Sequence, residues 1–82
     1  MYAHYLYYYE DADGEVIYVG RSKNAERRLH FRKIFQECDW LPEIEKMRTA
    51  FVGDELDAKI YEGLEIARLK PRRNKVGANL KW

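Results

Sequence analysis

The chain opens with two short β-favouring runs on either side of a turn, and this pattern constrains the fold most strongly. His4 to Tyr9 is rich in aromatic side chains, and Val16 to Val19 is a second run of strand-forming residues. Between them, Asp13-Gly14 is a dipeptide typical of hairpin turns, because glycine adopts positive φ angles without a steric penalty. We therefore expect an antiparallel hairpin with strands at about residues 3–9 and 15–20.

Two helices are predicted further along the chain, each preceded by a capping residue. Asn24 precedes a helix over residues 25–35, and Asp54 precedes one from residue 55 to about 69. Pro71 follows where the second helix should have ended. The apolar stripe that we expect this second helix to turn towards the core consists of Leu56, Ile60, Leu64 and Ala67.

The segment between the helices is harder to interpret. Pro42 cannot lie inside a regular helix without disrupting it. After it, Met47, Thr49 and Phe51 alternate as in a strand, although the spacing from Ile44 to Met47 also suits a short helix. We favour a strand at about residues 46–52, ended by the glycine that follows.

The predicted order is strand, strand, helix, strand, helix, which is an α+β layer structure. Eighty-two residues leave room for one domain, so we assign residues 1–82 to it, with residues 72–82 as a basic C-terminal tail.

Basic residues are concentrated in two stretches, although the net charge is only +1. Residues 21–33 contain six basic residues and one acid, and residues 66–82 contain six basic residues and no acid. If the stretches meet in space, they form a positive face that can displace counterions from a phosphate backbone. Such charge runs are also common on helices as solvated faces.

Composition excludes several classes of protein. Cys38 is the only cysteine, which rules out an internal disulfide and a cysteine-based zinc cluster. No apolar run approaches the roughly 20 residues that span a bilayer, and the polar-aromatic opening is not typical of a signal peptide. We therefore expect an intracellular location, cytoplasmic or nucleoid/nuclear, and no membrane partner.

Four segments resemble the signatures of the GIY-YIG nuclease family, in order and spacing. Tyr5-Leu6-Tyr7 and Tyr18-Val19-Gly20 stand where the family has its two signature tripeptides. Residues 20–29 look like the following loop and helix, whose arginine falls on Arg28. Residues 58–74 are similar to the late helix and its proline-containing turn, which puts a glutamate on Glu62 and an asparagine on Asn74.

This resemblance runs from about residue 5 to residue 74, most of the chain. It implies a three-stranded antiparallel sheet flanked by helices, with an active site on one face of the sheet. It also implies a metal-dependent endonuclease that hydrolyses phosphodiester bonds by a one-metal mechanism.

The resemblance gives each matching residue a role. Glu62 would hold one Mg²⁺, or alternatively Mn²⁺, because a single carboxylate leaves the other positions of the cation to water and phosphate. Tyr18 would be the general base, or would orient the attacking water, with Tyr7 as its partner from the adjacent strand. Arg28 would place a bidentate guanidinium on the scissile phosphate, and Asn74 would organise the site through its amide.

A tyrosine can serve as a base near neutral pH only if its surroundings lower its pKa. The pKa of free tyrosine is near 10, about three units too high for efficient proton transfer at neutral pH. Positive charge must therefore stabilise the phenolate, and the sources that we expect, besides the metal, are Arg21, Lys23 and Arg28. The residues that we assign to nucleic-acid contact are Arg21, Lys23, Arg32, Arg72 and Arg73.

Two positions depart from the family pattern. Tyr5 stands where the family favours glycine, so a large side chain fills space that a close approach would need. Arg32 stands where the family often has tyrosine or histidine, and we assign it to phosphate contact rather than to acid–base chemistry.

Three functions are compatible with these residues. The leading one is an endonuclease that acts on DNA, with RNA as the alternative substrate. A second is a nucleic-acid-binding module that keeps the fold and the basic residues but does not cut. A third is a nuclease subunit that needs a protein partner, or a homodimer, for recognition, because 82 residues leave no separate DNA-reading domain.

Overall fold

The computed structural model describes residues 3–35 and 39–74. Its strands are β1 (His4–Glu10), β2 (Val16–Ser22) and β3 (Lys46–Gly53), and its helices are α1 (Ala25–Phe35) and α2 (Glu55–Leu69). A short 3₁₀ turn at Leu41–Glu43 contains the proline between α1 and β3. The predicted α+β order of strands and helices is confirmed, including the choice of a strand rather than a helix for β3.

The three strands form one antiparallel sheet in the order β2-β1-β3. The aromatic first strand is therefore the central one, paired on both sides. Tyr7 lies opposite Gly20 of β2 and Thr49 of β3, and Tyr9 lies opposite Tyr18. This register places the last residue of the first tripeptide opposite the last residue of the second.

The hairpin turn and both helix starts form as the sequence predicts. The carboxylate of Asp11 accepts hydrogen bonds from the amides of Asp13 and Glu15, and Gly14 has a φ of +82°. Asn24 accepts a hydrogen bond from the amide of Arg27 at 2.9 Å, which satisfies a donor in the first turn of α1. Asp54 does the same for two amides of α2, at 3.0 and 3.2 Å.

The helices cover opposite faces of the sheet. Tyr7 and Tyr9 of β1 belong to one apolar cluster, into which Ala25 and Leu29 of α1 pack. Leu6 and Tyr8 belong to a second cluster, which receives Ile66 and Leu69 of α2. Successive side chains of a strand point to opposite faces, so the central strand has an apolar layer on each side. In the described part of the chain, no helix has both the length and the apolar content to cross a bilayer.

The predicted core face of α2 is wrong. Leu56, Ile60 and Leu64 are 64%, 51% and 58% exposed, and Ala67 is exposed as well. The face that meets the sheet carries Ala58, Ile66 and Leu69, together with two glutamates. Periodicity could not choose between the faces, because each has apolar residues at helical spacing. The glutamates are tolerated because each has a hydrogen-bonding partner, Arg21 for Glu62 and Tyr8 for Glu65.

One close approach fixes the centre of the first cluster. A Cβ atom added at Gly20 would lie 2.4 Å from both the Cζ and the hydroxyl oxygen of Tyr7. The Tyr7 ring therefore lies across the backbone of β2, in space that any other residue at position 20 would fill. Space, rather than a positive φ angle, requires this glycine.

Two leucine substitutions test which face of α2 packs on the sheet. Leu69→Ala should lower the free energy of unfolding by about 1–2 kcal/mol, because it removes apolar atoms from a partly buried site. Leu64→Ala removes the same atoms from the exposed face and should cost less than about 0.5 kcal/mol. Urea denaturation measures both, and a larger loss for Leu64→Ala would contradict the observed packing.

Two glycine substitutions test the approach of Tyr7 to β2. Gly20→Ala should destabilise the chain by about 2–3 kcal/mol, because either the Tyr7 ring or the strand must move. Gly63→Ala is the matched control: it lies within α2 with nothing within 4 Å of the added Cβ, and it should stabilise the helix by up to about 1 kcal/mol. Equal effects of the two changes in a thermal or urea melt would contradict the crowding at position 20.

Candidate active site

A cleft of about 560 Å³ opens beside β2, lined by residues from β1, β2, both helices and the turn after α2. The five residues that the resemblance marked as catalytic all line it: Tyr7, Tyr18, Arg28, Glu62 and Asn74. Arg21, Arg32 and Lys59 add further positive charge to its wall. Residues that are up to 67 positions apart in sequence thus meet at one place.

A buried arginine joins the two tyrosines of the cleft. The Nη2 atom of Arg32 donates hydrogen bonds to the hydroxyls of Tyr7 and Tyr18, each at 3.2 Å. Its guanidinium carbon lies 5.1 Å from the centre of the Tyr18 ring, within the range of a cation–π contact. Arg32 is only 7% exposed. Arg32 was assigned to phosphate contact from the sequence, and that role stays a prediction.

The two tyrosines have different surroundings. Tyr7 is 2% exposed, whereas Tyr18 is partly exposed to the cleft. Burial raises the pKa of Tyr7, and negative charge on Tyr18 would raise it further, against the opposite effects of Arg32 and Arg28. Burial likewise raises the pKa of Tyr9, the next tyrosine on this face. Tyr7 and Tyr9 are therefore protonated at neutral pH.

Glu62 faces the cleft from α2 and is held by an ion pair. Its Oε1 atom accepts a hydrogen bond from Nε of Arg21 at 3.1 Å. Arg21 was expected to stabilise a tyrosine phenolate, and the structure instead pairs it with this carboxylate. The pair is partly exposed, so it orients the two side chains more than it stabilises the fold.

The cleft can hold a cation through one carboxylate. Glu62 is the one acidic residue among the described residues that line it. Within residues 3–35 and 39–74, no group of three or more histidine, cysteine or acidic side chains is arranged to hold a metal. A single carboxylate next to space for water and phosphate is how magnesium is commonly bound, so the donor set is compatible with the metal that the resemblance implies.

The side chain of Asn74 hydrogen-bonds to the outer edge of β2, at the middle residue of the second tripeptide. Its Oδ1 atom accepts a hydrogen bond from the amide of Val19 at 2.7 Å, and its Nδ2 atom donates to the Val19 carbonyl at 2.9 Å. The amide of Arg73 donates to the carbonyl of Ile17 at 2.8 Å. The turn after α2 therefore pairs with β2 much as a further strand would, and it satisfies backbone groups at the sheet edge.

The arginines of the second basic stretch contact nearby acids. Arg72 forms ion pairs with Asp11, Glu15 and Glu43 at 3.2–3.5 Å. Arg73 also pairs with Glu43, and this hydrogen bond lowers the pKa of the glutamate. These contacts hold the turn after α2 against the hairpin and the 3₁₀ turn. Nucleic-acid contact by Arg72 and Arg73 stays a prediction, and the rest of the predicted basic tail, residues 75–82, lies outside the described residues.

Lys23 and Tyr5 lie away from the cleft. Both line a separate depression with Met47 and Thr49 of β3. The ring of Tyr5 packs edge-on against Phe51, with 5.4 Å between the ring centres. The tyrosine that replaces the family's glycine therefore does not narrow the cleft.

Sequence reasoning missed one charged residue of the cleft and the surroundings of another. Lys59 lies three positions before Glu62 on α2, so helical spacing from the glutamate could have identified it. The buried position of Arg32 between two tyrosines had no comparable signal, because it depends on how α1 docks on the sheet.

Comparison with known proteins supports the resemblance over most of the chain. No family model matches it. It is 35% identical over 74 residues to UvrABC system protein C of Flavobacterium johnsoniae, covering 84% of this chain and 12% of the relative. The protein of the same name from Hydrogenovibrio crunogenus is 36% identical over 75 residues, covering 85% and 12%, and that from Bacteroides fragilis is 36% identical over 74 residues, covering 84% and 12%.

The chain thus spans about 12% of the length of the curated relatives that it matches. The matching region contains 74 or 75 residues, so the similarity extends well beyond any single motif. The order of the motifs, the three-stranded antiparallel sheet with its two helices and this similarity together support a small member of the GIY-YIG family.

Proposed function

We propose that this chain is a metal-dependent endonuclease that hydrolyses phosphodiester bonds in DNA. The observation that carries the proposal is that Tyr7, Tyr18, Arg28, Glu62 and Asn74 line one cleft. A water-activating hydroxyl, a carboxylate for a cation and several fixed positive charges are the groups that phosphodiester hydrolysis requires.

The positive side chains of the cleft bind the phosphate. Arg28 on α1 and Lys59 on α2 both line it, so a phosphate between the helices is approached by cations from two sides. The guanidinium of Arg28 donates hydrogen bonds to the scissile phosphate and stabilises the charge that develops on it during the reaction.

Tyr18 accepts the proton of the attacking water. The water oxygen bonds to phosphorus as the bond from phosphorus to the departing oxygen breaks, and the water proton passes to the Tyr18 phenolate. Tyr7 stays protonated, consistent with its burial, and its hydroxyl can donate a hydrogen bond to Tyr18 or to the phosphate.

Glu62 is the residue that would hold the cation, Mg²⁺ or alternatively Mn²⁺. When bound, such a cation polarises the phosphate and stabilises the departing oxygen. Arg21 bonds to one carboxylate oxygen, so it holds Glu62 towards the cleft while the second oxygen remains for a ligand. Asn74 takes no direct part in the reaction. Its hydrogen bonds to Val19 fix the strand segment that carries Tyr18.

A nuclease that needs a partner for substrate recognition is the second candidate. It is favoured by the length of the relatives, of which this chain corresponds to about 12%. They are named as component C of the UvrABC system, so a protein partner that positions DNA on the cleft is consistent with this similarity.

Removal of the Glu62 carboxylate should abolish cutting without unfolding the chain. We expect the wild-type protein to nick supercoiled plasmid in the presence of Mg²⁺ or Mn²⁺, and Glu62→Gln to reduce the rate roughly 100-fold or more. Glu55→Gln is the matched control, an exposed glutamate in the first turn of the same helix, and it should nick at the wild-type rate.

The assay should include short linear and branched duplexes, with chelator as the metal-free reference. Undiminished cutting by folded Glu62→Gln would contradict the placement of the site. If neither protein cuts but both bind DNA with the same salt dependence, the nuclease proposal fails for the isolated chain, and the non-cutting binding module takes its place.

A further inference from the structure

Arg32 puts a permanent positive charge between the hydroxyls of two tyrosines. One nitrogen atom donates to both oxygens at 3.2 Å, so the hydroxyls of Tyr7 and Tyr18 share one donor group. A guanidinium does not lose its proton in proteins, and a cation at this distance favours the ionised form of a phenol. An ionised hydroxyl on either tyrosine would therefore lie within hydrogen-bonding distance of the guanidinium.

Burial decides which tyrosine takes that charge. Tyr7 is 2% exposed and lies against Gly20, where a phenolate would lose its hydration. Tyr18 is partly exposed to the cleft and has the guanidinium of Arg32 over its ring as well as at its hydroxyl. Two phenolates at these positions would repel each other, so ionisation of Tyr18 keeps Tyr7 protonated.

Other titratable and charged side chains lie near Tyr18 on the neighbouring elements. Tyr9 lies beside Tyr18 on the sheet, with ring centres 5.5 Å apart, and Arg28 lines the cleft from α1. The remaining charged neighbours are Arg21 of β2 and Lys59 and Glu62 of α2. Arg73 lies over the ring of Trp40, and that ring packs against Tyr18. Arg32 donates a hydrogen bond to the Tyr18 hydroxyl itself.

Burial and the neighbouring tyrosines act in opposite directions on Arg32. Burial alone would lower the pKa of its guanidinium, whereas Tyr7, Tyr18 and Tyr9 together raise it, and the guanidinium stays protonated. The guanidinium and a phenolate on Tyr18 would therefore stabilise each other, as opposite charges do in a partly dry site.

We propose that Arg32 is a positioning residue that makes Tyr18, and not Tyr7, the proton acceptor in the hydrolysis; this rests on the proposed nuclease function. Tyr18 first loses its proton to solvent, and Arg32 holds the resulting phenolate towards the cleft. The phenolate then takes one proton from the attacking water, and that proton returns to solvent after the cut. Arg32 keeps its own protons throughout.

The test compares the pH dependence of cutting in wild type, Arg32→Gln and Arg32→Lys. Loss of the charge in Arg32→Gln should move the acidic limb of the rate profile up by about one pH unit or more. Cutting at neutral pH should then fall about 10-fold or more and recover as the pH rises. Arg32→Lys keeps a positive charge and should restore part of the shift.

Arg27→Gln is the matched control, because it removes the same charge from an exposed position on the same helix. It should leave the profile unchanged. A uniform loss of rate at every pH in Arg32→Gln, with no movement of the limb, would mean that Arg32 has a merely structural role and would overturn the proposal. Arg32→Lys keeps the test decisive if the glutamine variant does not fold.

A second readout does not depend on cutting. The phenolate absorbance of each protein is titrated with base, and the titration of the same protein carrying Tyr18→Phe is subtracted, which leaves the ionisation of Tyr18. We expect this ionisation to move to higher pH in Arg32→Gln and not in Arg27→Gln. If Tyr18 shifts but the chain does not cut, the inference about Arg32 stands and the nuclease proposal fails. If the chain cuts and Tyr18 does not shift, the inference is wrong.

Discussion

The approach of Tyr7 to the bare backbone of Gly20 organises the site. The ring lies against the neighbouring strand, where even one added methyl group would overlap it. Its hydroxyl is thereby directed to the same nitrogen atom of Arg32 that holds Tyr18. Arg32 belongs to α1, so this contact also fixes how the first helix lies on the sheet. A packing constraint in the central strand thus determines the distance between the groups that the proposed chemistry needs.

The other half of the cleft depends on the end of α2. The turn after this helix bonds to the outer edge of β2 through Arg73 and Asn74, and its arginines pair with acids of the hairpin and the 3₁₀ turn. These contacts hold the helix in the position from which Glu62 reaches Arg21. The residues that resemble a family signature at the end of the chain therefore act on the site through the backbone of Val19.

Much of this structure could be predicted from sequence, because local rules and tertiary contacts agree. The Asp-Gly turn, the caps at Asn24 and Asp54 and the strand β3 all appear where expected. The core face of α2 could not be predicted, because the helix has two apolar stripes. The stripe that packs on the sheet carries two glutamates, each hydrogen-bonded to a side chain of the sheet. The burial of Arg32 was missed for a related reason: a charged residue is expected at the surface until its partners are known.

We propose that a cation binds in the cleft between Gly20 of β2 and Gly63 of α2. Titration of the labelled chain with Mn²⁺, followed by nuclear magnetic resonance, tests it most directly, because the ion broadens the signals of nearby amides. We expect early broadening at Gly20 and Gly63, lost in Glu62→Gln, with Gly14 and Gly53 unaffected at the same concentration. Broadening that begins at Gly14, beside the acids of the hairpin turn, or that persists in Glu62→Gln, would contradict it.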